Sequence, residues 1–386
     1  MTKDQPSRAS NPMFGPHRFK FGLFGYLHEG GNAITTVPER WSGTWEDITK
    51  LARMADSAKL DFMIPIARWK GIPGEVHNRL RSFETLTHAA ALAGITEHLA
   101  VFATVHTPIV HPIFAAKAMV TIDHASRGRA GLNIVCGWNE ADLKMFGLQQ
   151  LEHDKRYEQG AEWFEIWSRI VSGEQQEFDF NGTYFGNMTG IIGQPPSLQR
   201  PLPAVITAGY SPAGRDYAVR NSDFLLTIVT DPDHARRELA DIRGRERKIG
   251  RPGPPLEAIA TVYIVCRETR KEAEDYHRYY AEEKADHKGV DFYLAARAPN
   301  AQTPEKVMRE LRVRWAGGNG AIPLIGTPED IVEQMVGLQR VGIAGAAVSL
   351  VNFNDELPFL IERVMPLMQQ AGLRAASSER VRLTGS

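Results

Sequence analysis

The chain of 386 residues holds only two cysteines, Cys136 and Cys266. Two thiols so far apart make neither a disulfide framework nor a CxxC metal site, and their scarcity points to a reducing, cytoplasmic setting. Charge of one sign is missing as well: 45 Lys and Arg stand against 46 Asp and Glu. That balance removes the diffuse electrostatic case for nucleic acid or an anionic membrane surface. No apolar run approaches a membrane span, and residues 1–16 are polar and proline-containing, unlike a signal peptide. HExxH, GxSxG, the P-loop and a nicotinamide-binding fingerprint are all absent, which argues against the commonest metal, acyl-transfer and nucleotide chemistries.

What remains is a chain with enough apolar content, 43%, to fill a large core. Short β-like runs alternate with longer helical ones. The pattern predicts strands at Phe19–Phe24, Asp61–Ile66, Leu99–Thr104, Gly131–Cys136, Ala204–Ala208, Phe224–Val229, Ala258–Cys266 and Ala346–Val351. Helical spacing predicts helices such as Thr44–Ala58, Ser82–Ala93, Pro112–Ala125 and Asp154–Val171 between them. About eight β/α units in one composition regime imply an α/β fold, a (β/α)8 TIM barrel with insertions, in preference to a doubly wound sheet. The expected layout is a single domain over 17–373 with flexible tails at 1–16 and 374–386. Residues 173–200 and 286–324 break the rhythm. The first carries a hairpin signal at Asn181–Gly182; the second is either a lid over the C-terminal face or a surface insertion.

In such a barrel the chemistry sits at the C-terminal ends of the strands. His106 and His111 flank one of those ends, at a spacing that suits zinc poorly; one lining a pocket and one structural is the simpler reading. The stretch TIDHASRGRAGLNIVCGW (Thr121–Trp138) is a helix end, a Gly-Arg turn and a buried strand that ends at Cys136-Gly137-Trp138. Asn133 is polar inside that apolar run, so a ligand or the backbone must satisfy it. Ser211-Pro212-Ala213-Gly214 follows a strand and opens a helix, with Pro at the first helical position. Such a start is a helix cap in any case and also suits a phosphate.

The pattern TIDxxSxGRxGxNxVxGW resembles the signature of bacterial-luciferase-like, reduced-flavin-dependent monooxygenases. Pyrimidine ring-opening and dimethyl sulfone monooxygenases resemble it most. The likeness continues through LEHDKRYEQGAEWFEIW (Leu151–Trp167), AGYSPAGRDYA (Ala208–Ala218), LIGTPEDI (Leu324–Ile331) and ERVMPLM (Glu362–Met368). By resemblance, the flavin contacts fall on Ala67, Arg68, Asn133, Asp142, Arg156, Tyr157, Gly209 and Ser211. Asp142 stands where relatives carry Glu, and Arg68 where the pyrimidine enzymes carry Lys. Oxygen activation needs a small dry pocket with hydrogen-bond donors; the resemblance puts it at Thr104, Asn133 and Trp138.

The resemblance therefore implies a two-component monooxygenase. Reduced FMN would come from a separate NAD(P)H:flavin reductase, and O2 would be used to cleave a C–N, C–S or C–halogen bond in a small organic molecule. Trp69, Ile72, His106, His111 and the 286–324 insertion are candidate pocket residues, with Trp41 and Trp45 as further ones, and the aromatic and imidazole rings favour an N-heterocycle or related aromatic. Relatives also imply a homodimer or homotetramer. Two alternatives stay open: a deazaflavin-dependent oxidoreductase on the same fold, and a flavin-binding barrel without turnover.

Overall fold

The computed structural model describes residues 8–137, 139–297 and 305–375. Within them lie strands β1 (Lys20–Phe24), β2 (Phe62–Ile64), β3 (Ala100–His106), β4 (Ala130–Val135), β5 (Phe178–Phe180), β6 (Met188–Ile191), β7 (Ala204–Thr207), β8 (Phe224–Thr227), β9 (Glu257–Cys266), β10 (Ile322–Gly326) and β11 (Gly345–Ser349). Eight of them form a parallel ring in the order β1-β2-β3-β4-β7-β8-β9-β11, closed by β11 on β1. This is the (β/α)8 barrel that the sequence pattern predicts.

The barrel strands are apolar on both faces, as parallel strands between a packed interior and a helical shell must be. Phe62, Ile64, Phe102, Ile206, Phe224, Leu226 and Ile259 fill the inside. Gly131 makes room for one of them, since a Cβ there would lie 2.4 Å from the Phe102 ring. Outside, helices present one apolar stripe each. The helix Trp45–Ser57 buries Ile48, Leu51, Ala52 and Ala55, and Thr44 caps it by accepting from Asp47 N.

Three expectations need correcting. Residues 8–16 are not a loose tail. They make two short turns across the N-terminal mouth, with Met13 in the interior cluster and Asn11 donating to the Ala130 carbonyl at 3.2 Å. Arg8 pairs with Asp223 at 2.7 Å. Apolar Met13 has a dry barrel floor to cover, and that burial holds the segment down. At the other end, Arg374 is buried and pairs with Asp61 at 2.5 Å; residues 376–386 lie outside the described residues. Thirdly, the segment 286–324 is not all excursion. Ile322 already begins β10, which pairs with the second half of the long strand β9 from outside the ring. The segment 173–200 does carry an antiparallel pair, β5 with β6.

Asp61, just before β2, organises the barrel's N-terminal side. Its carboxylate accepts from Phe21 N at 2.8 Å and lies 2.7 Å from His17 Nδ1, besides pairing with Arg374. No described helix is long and apolar enough to cross a membrane.

Candidate active site at the barrel mouth

Thr104 and Asn133 are cross-strand partners on β3 and β4. Both point inward, since Phe102 and Gly131 two residues earlier meet inside the barrel. Asn133 Nδ2 donates to Thr104 Oγ1 at 3.1 Å, and that hydroxyl donates to the Pro65 carbonyl at 2.5 Å. The Thr104 proton is thus committed, which fixes the amide with its nitrogen toward Thr104. Asn133 Oδ1 is left buried with no partner in the protein. An unsatisfied buried acceptor costs about 1–3 kcal/mol, so it marks a place where a ligand donor belongs. The resemblance implied a donor here; the atom left open is an acceptor.

Around this pair the mouth is polar and dry. Arg68 and Asp142 are both buried, with Arg68 Nη1 at 3.4 Å from Asp142 Oδ2; Lys70 N donates to the same carboxylate at 3.1 Å. The shorter Asp142 therefore holds the loop after β2 and orients Arg68. His106, inward on β3, is buried, and its Nδ1 has no partner. Burial pushes its pKa down to about 4, with Asp142 opposing and Arg68 reinforcing the shift. A His with a depressed pKa loses stability as pH falls below its ordinary value near 6.5, because the buried ring must then charge. At neutral pH His106 is a neutral hydrogen-bonding group.

Arg156 and Tyr157 open the helix His153–Ser172. Arg156 Nη1 donates to the Gly137 carbonyl at 2.8 Å, and its Nε is buried without a partner. Beside it is a cavity of about 140 Å³ lined by Pro108, Cys136, Gly137 and Gln159 among others. Tyr157 reaches the first turn of the helix Pro212–Asn221: a Cβ on Gly214 would lie 2.7 Å from its hydroxyl. Ser211 caps that helix by accepting from Gly214 N at 3.1 Å. Gly209 lies so close under the same turn that a Cβ would sit 2.5 Å from the Gly214 carbonyl. Glycine is required there for the strand-to-helix turn to pack so closely.

The remaining predicted residues scatter. Ala67 and Trp69 line a cavity of about 50 Å³ with Arg68, and the Trp69 ring meets Phe146 edge-on at 4.9 Å. Ile72 is buried in the second apolar cluster with Ile34 and Val351 and lines no described cavity. His111 is exposed and caps the helix Pro112–Ala125, its Nδ1 accepting from Ile113 N at 3.4 Å, so it is structural. Trp138 lies outside the described residues. Sequence reasoning missed His28, Asn32 and Arg79, all buried at the mouth. The only signal was a Gly30-Gly31 turn after β1. Of two larger clefts, of about 470 and 710 Å³, the first is lined by none of the predicted residues and the second by Trp41 and Trp45 alone among them, so size alone does not pick the site.

The sequence pattern of the luciferase-like monooxygenases matches residues 20–345. The chain belongs to that family. The FMNH2-dependent dimethylsulfone monooxygenase of Pseudomonas putida is 28% identical over 350 residues, 88% of this chain and 93% of that one. Among solved structures, riboflavin lyase superposes with a TM-score of 0.81 at 21% identity, covering 96% of each chain. DmoA from Hyphomicrobium sulfonivorans does so at 0.81 and 18%, covering 94% of this chain and 90% of its own. At those identities the structures share the fold.

This luciferase-like monooxygenase has the groups that a bound flavin needs. A helix N-terminus reached through the tight turn at Gly209, with Ser211, Tyr157 and Arg156 around it, suits a phosphate. The open Asn133 acceptor at the barrel centre suits a ring N–H. If Gly209 is that cradle, Gly209→Ala should weaken FMN binding by about tenfold, roughly the loss of one charge-assisted hydrogen bond. A fluorescence titration checks this, and unchanged affinity would remove Gly209 from the site.

Proposed function

We propose that this chain is a two-component monooxygenase. It takes reduced FMN from a separate NAD(P)H:flavin reductase and uses O2 to cleave a C–N, C–S or C–halogen bond in a small organic substrate, such as an N-heterocycle or related aromatic. The enzyme class is that of its family and named relatives, which are FMNH2-dependent. The observation that carries the reading is the buried Thr104–Asn133 pair with its open acceptor, at the end of the barrel where this fold places its chemistry.

FMN, when bound, supplies the electrons that activate oxygen; the protein supplies position and field. Arg156, Tyr157, Gly209 and Ser211 hold the phosphate end. Asn133 orients the ring through Oδ1, and Thr104 keeps the Asn133 amide from turning. Neutral His106 and the Arg68–Asp142 pair line the dry space where substrate and oxygen meet. Their burial keeps water from competing.

The test is binding and turnover together. FMN should bind more tightly reduced than oxidised, with no preference for FAD, because one phosphate cradle is present. Equal or tighter FAD binding in calorimetry counts against the reading, as does preference for a deazaflavin. Oxygen uptake with reduced FMN, screened against N-heterocycles, sulfones and halogenated aromatics by mass spectrometry, then finds the substrate class. The chain is further proposed to work as a homodimer or homotetramer. Exposed Trp45, Phe83 and Phe114, at or near the starts of barrel helices, support this. A monomeric mass by light scattering at micromolar concentration would end it.

A further inference from the structure

Two guanidiniums converge on one oxygen at the barrel mouth. Arg68 Nη2 donates to the Tyr293 hydroxyl at 3.0 Å, and Arg79 Nη1 donates to the same oxygen. Arg79, in the loop after β2, also donates to Asn32 Oδ1 at 3.0 Å and to the Gly31 carbonyl at 3.5 Å, so the loop after β1 holds it in place. Like charges are brought so close in a dry site only around an acceptor. Asp142 supplies one negative charge, to Arg68 Nη1 at 3.4 Å, but the oxygen that the two guanidiniums share is a phenol, and an anionic oxygen would hold them far better.

His28 adds a second, independent sign. It is completely buried in the loop after β1, and neither ring nitrogen has a partner in the protein. Its backbone bridges to Ser82, beside the Arg79 segment. Burial first, then the charges of Arg79 and Arg68, hold its pKa well below the ordinary range. It is therefore a neutral imidazole in the field of two cations; the backbone of Glu29 and of His28 itself opposes the shift weakly, but neither ring nitrogen makes a hydrogen bond of normal geometry.

We propose that Arg68, Arg79 and His28 form a clamp for an anionic oxygen group on the substrate, a carboxylate, sulfinate or sulfonate, and that the Tyr293 hydroxyl keeps its place until the substrate arrives. The inference deepens the flavin reading and rests on it. A flavin phosphate is the other anion to consider. Its cradle at Ser211 follows β7, which stands four strands from β1 in the ring of eight, on the opposite side of the mouth. The clamp sits on the β1 and β2 side.

Calorimetry with two matched pairs of probes tests the clamp: benzoate against benzamide, and methanesulfonate against dimethyl sulfone. Each is titrated into wild type with and without oxidised FMN. The anion of at least one pair should bind about tenfold or more tighter than its neutral partner, about the value of one charge-assisted contact. His28→Asn and Arg79→Lys should cut that preference severalfold, while the Kd for FMN moves less than about twofold. Arg79→Lys keeps the charge and loses the planar fork, so it serves if His28→Asn does not fold.

Equal affinity within both pairs, or no binding of either anion up to about 10 mM, overturns the clamp. So does a preference that survives both substitutions. Loss of FMN affinity in the variants assigns the clamp to the flavin and overturns it as a substrate site. Failure to bind FMN alongside an intact anion preference would instead defeat the flavin reading and leave the clamp standing.

Discussion

Asn133→Ala should lower turnover per folded molecule by about 10²-fold, the effect of letting a reacting ring that Oδ1 would orient slip out of place. Thr104→Val, which trades a hydroxyl for a methyl at similar size, should move turnover in the same direction. Because Asn133 Nδ2 rests on Thr104 Oγ1 at 3.1 Å, the two changes act on one unit. The double variant should therefore cost clearly less than the product of the single effects. The measurement is oxygen-dependent product formation beside thermal melting on the same samples. A lowered Tm with normal turnover per folded molecule would make Asn133 a scaffold residue and nothing more. Unchanged melting with lost oxygenation places it in the chemistry.

Asp61→Asn should cost about 3–5 kcal/mol of folding stability, because it leaves buried Arg374 and His17 without their carboxylate. Asp61 is fully buried. Burial alone would raise its pKa, but Arg374, then His17 and Lys20, override it and hold the carboxyl well below the usual carboxylate range. A depressed carboxyl stabilises the fold at all pH above its unfolded value, near about 4, and that contribution drains away as pH falls further toward the folded value. Urea titrations at neutral and acid pH check both points. The wild type should lose stability steeply below about pH 4, and Asp61→Asn should lose much less of it. Equal slopes for the two proteins would mean that Asp61 carries no linked proton.

The barrel was legible because its signals are local. Short apolar runs, alternating with helical spacing, mark all eight ring strands. The family signature was legible too, yet most of its letters serve folding. Asp123 accepts from Leu198 N and Gln199 N at 2.7 and 3.0 Å, tying down the 173–200 segment. Ser126 and Arg129 close the turn before β4, with Arg129 donating to the Leu99 carbonyl at 2.5 Å and the Thr96 carbonyl at 2.6 Å. Thr327 and Asp330 cap a helix reciprocally. Among the described residues of the Thr121–Trp138 tract, Asn133 alone presents an unsatisfied side-chain atom to the mouth.

His28, Arg79 and Tyr293 could not be read in the same way. They come from three separate loops and helices and meet only when the chain closes. Neither period nor spacing relates position 28 to position 293. His111 misled for the opposite reason. A histidine before a proline looks the same in sequence whether its ring lines a pocket or caps a helix, and here the cap decides. Residues 8–16 misled because polar composition describes a tail well and says nothing of one buried methionine.

That N-terminal segment also sets an order of assembly. Arg8, Asn11 and Met13 leave the ribosome well before their partners: Asn11 needs Ala130 and Gln199, and Arg8 needs Asp223. The floor of the barrel can be sealed only after Asp223 has been made. Until then Met13 and the inner phenylalanines share an open hydrophobic cup, and contacts of such long sequence range close slowly. A nascent chain of this protein therefore depends on residues 8–13 staying unengaged while β4, β7 and β8 are built around the space they will stopper.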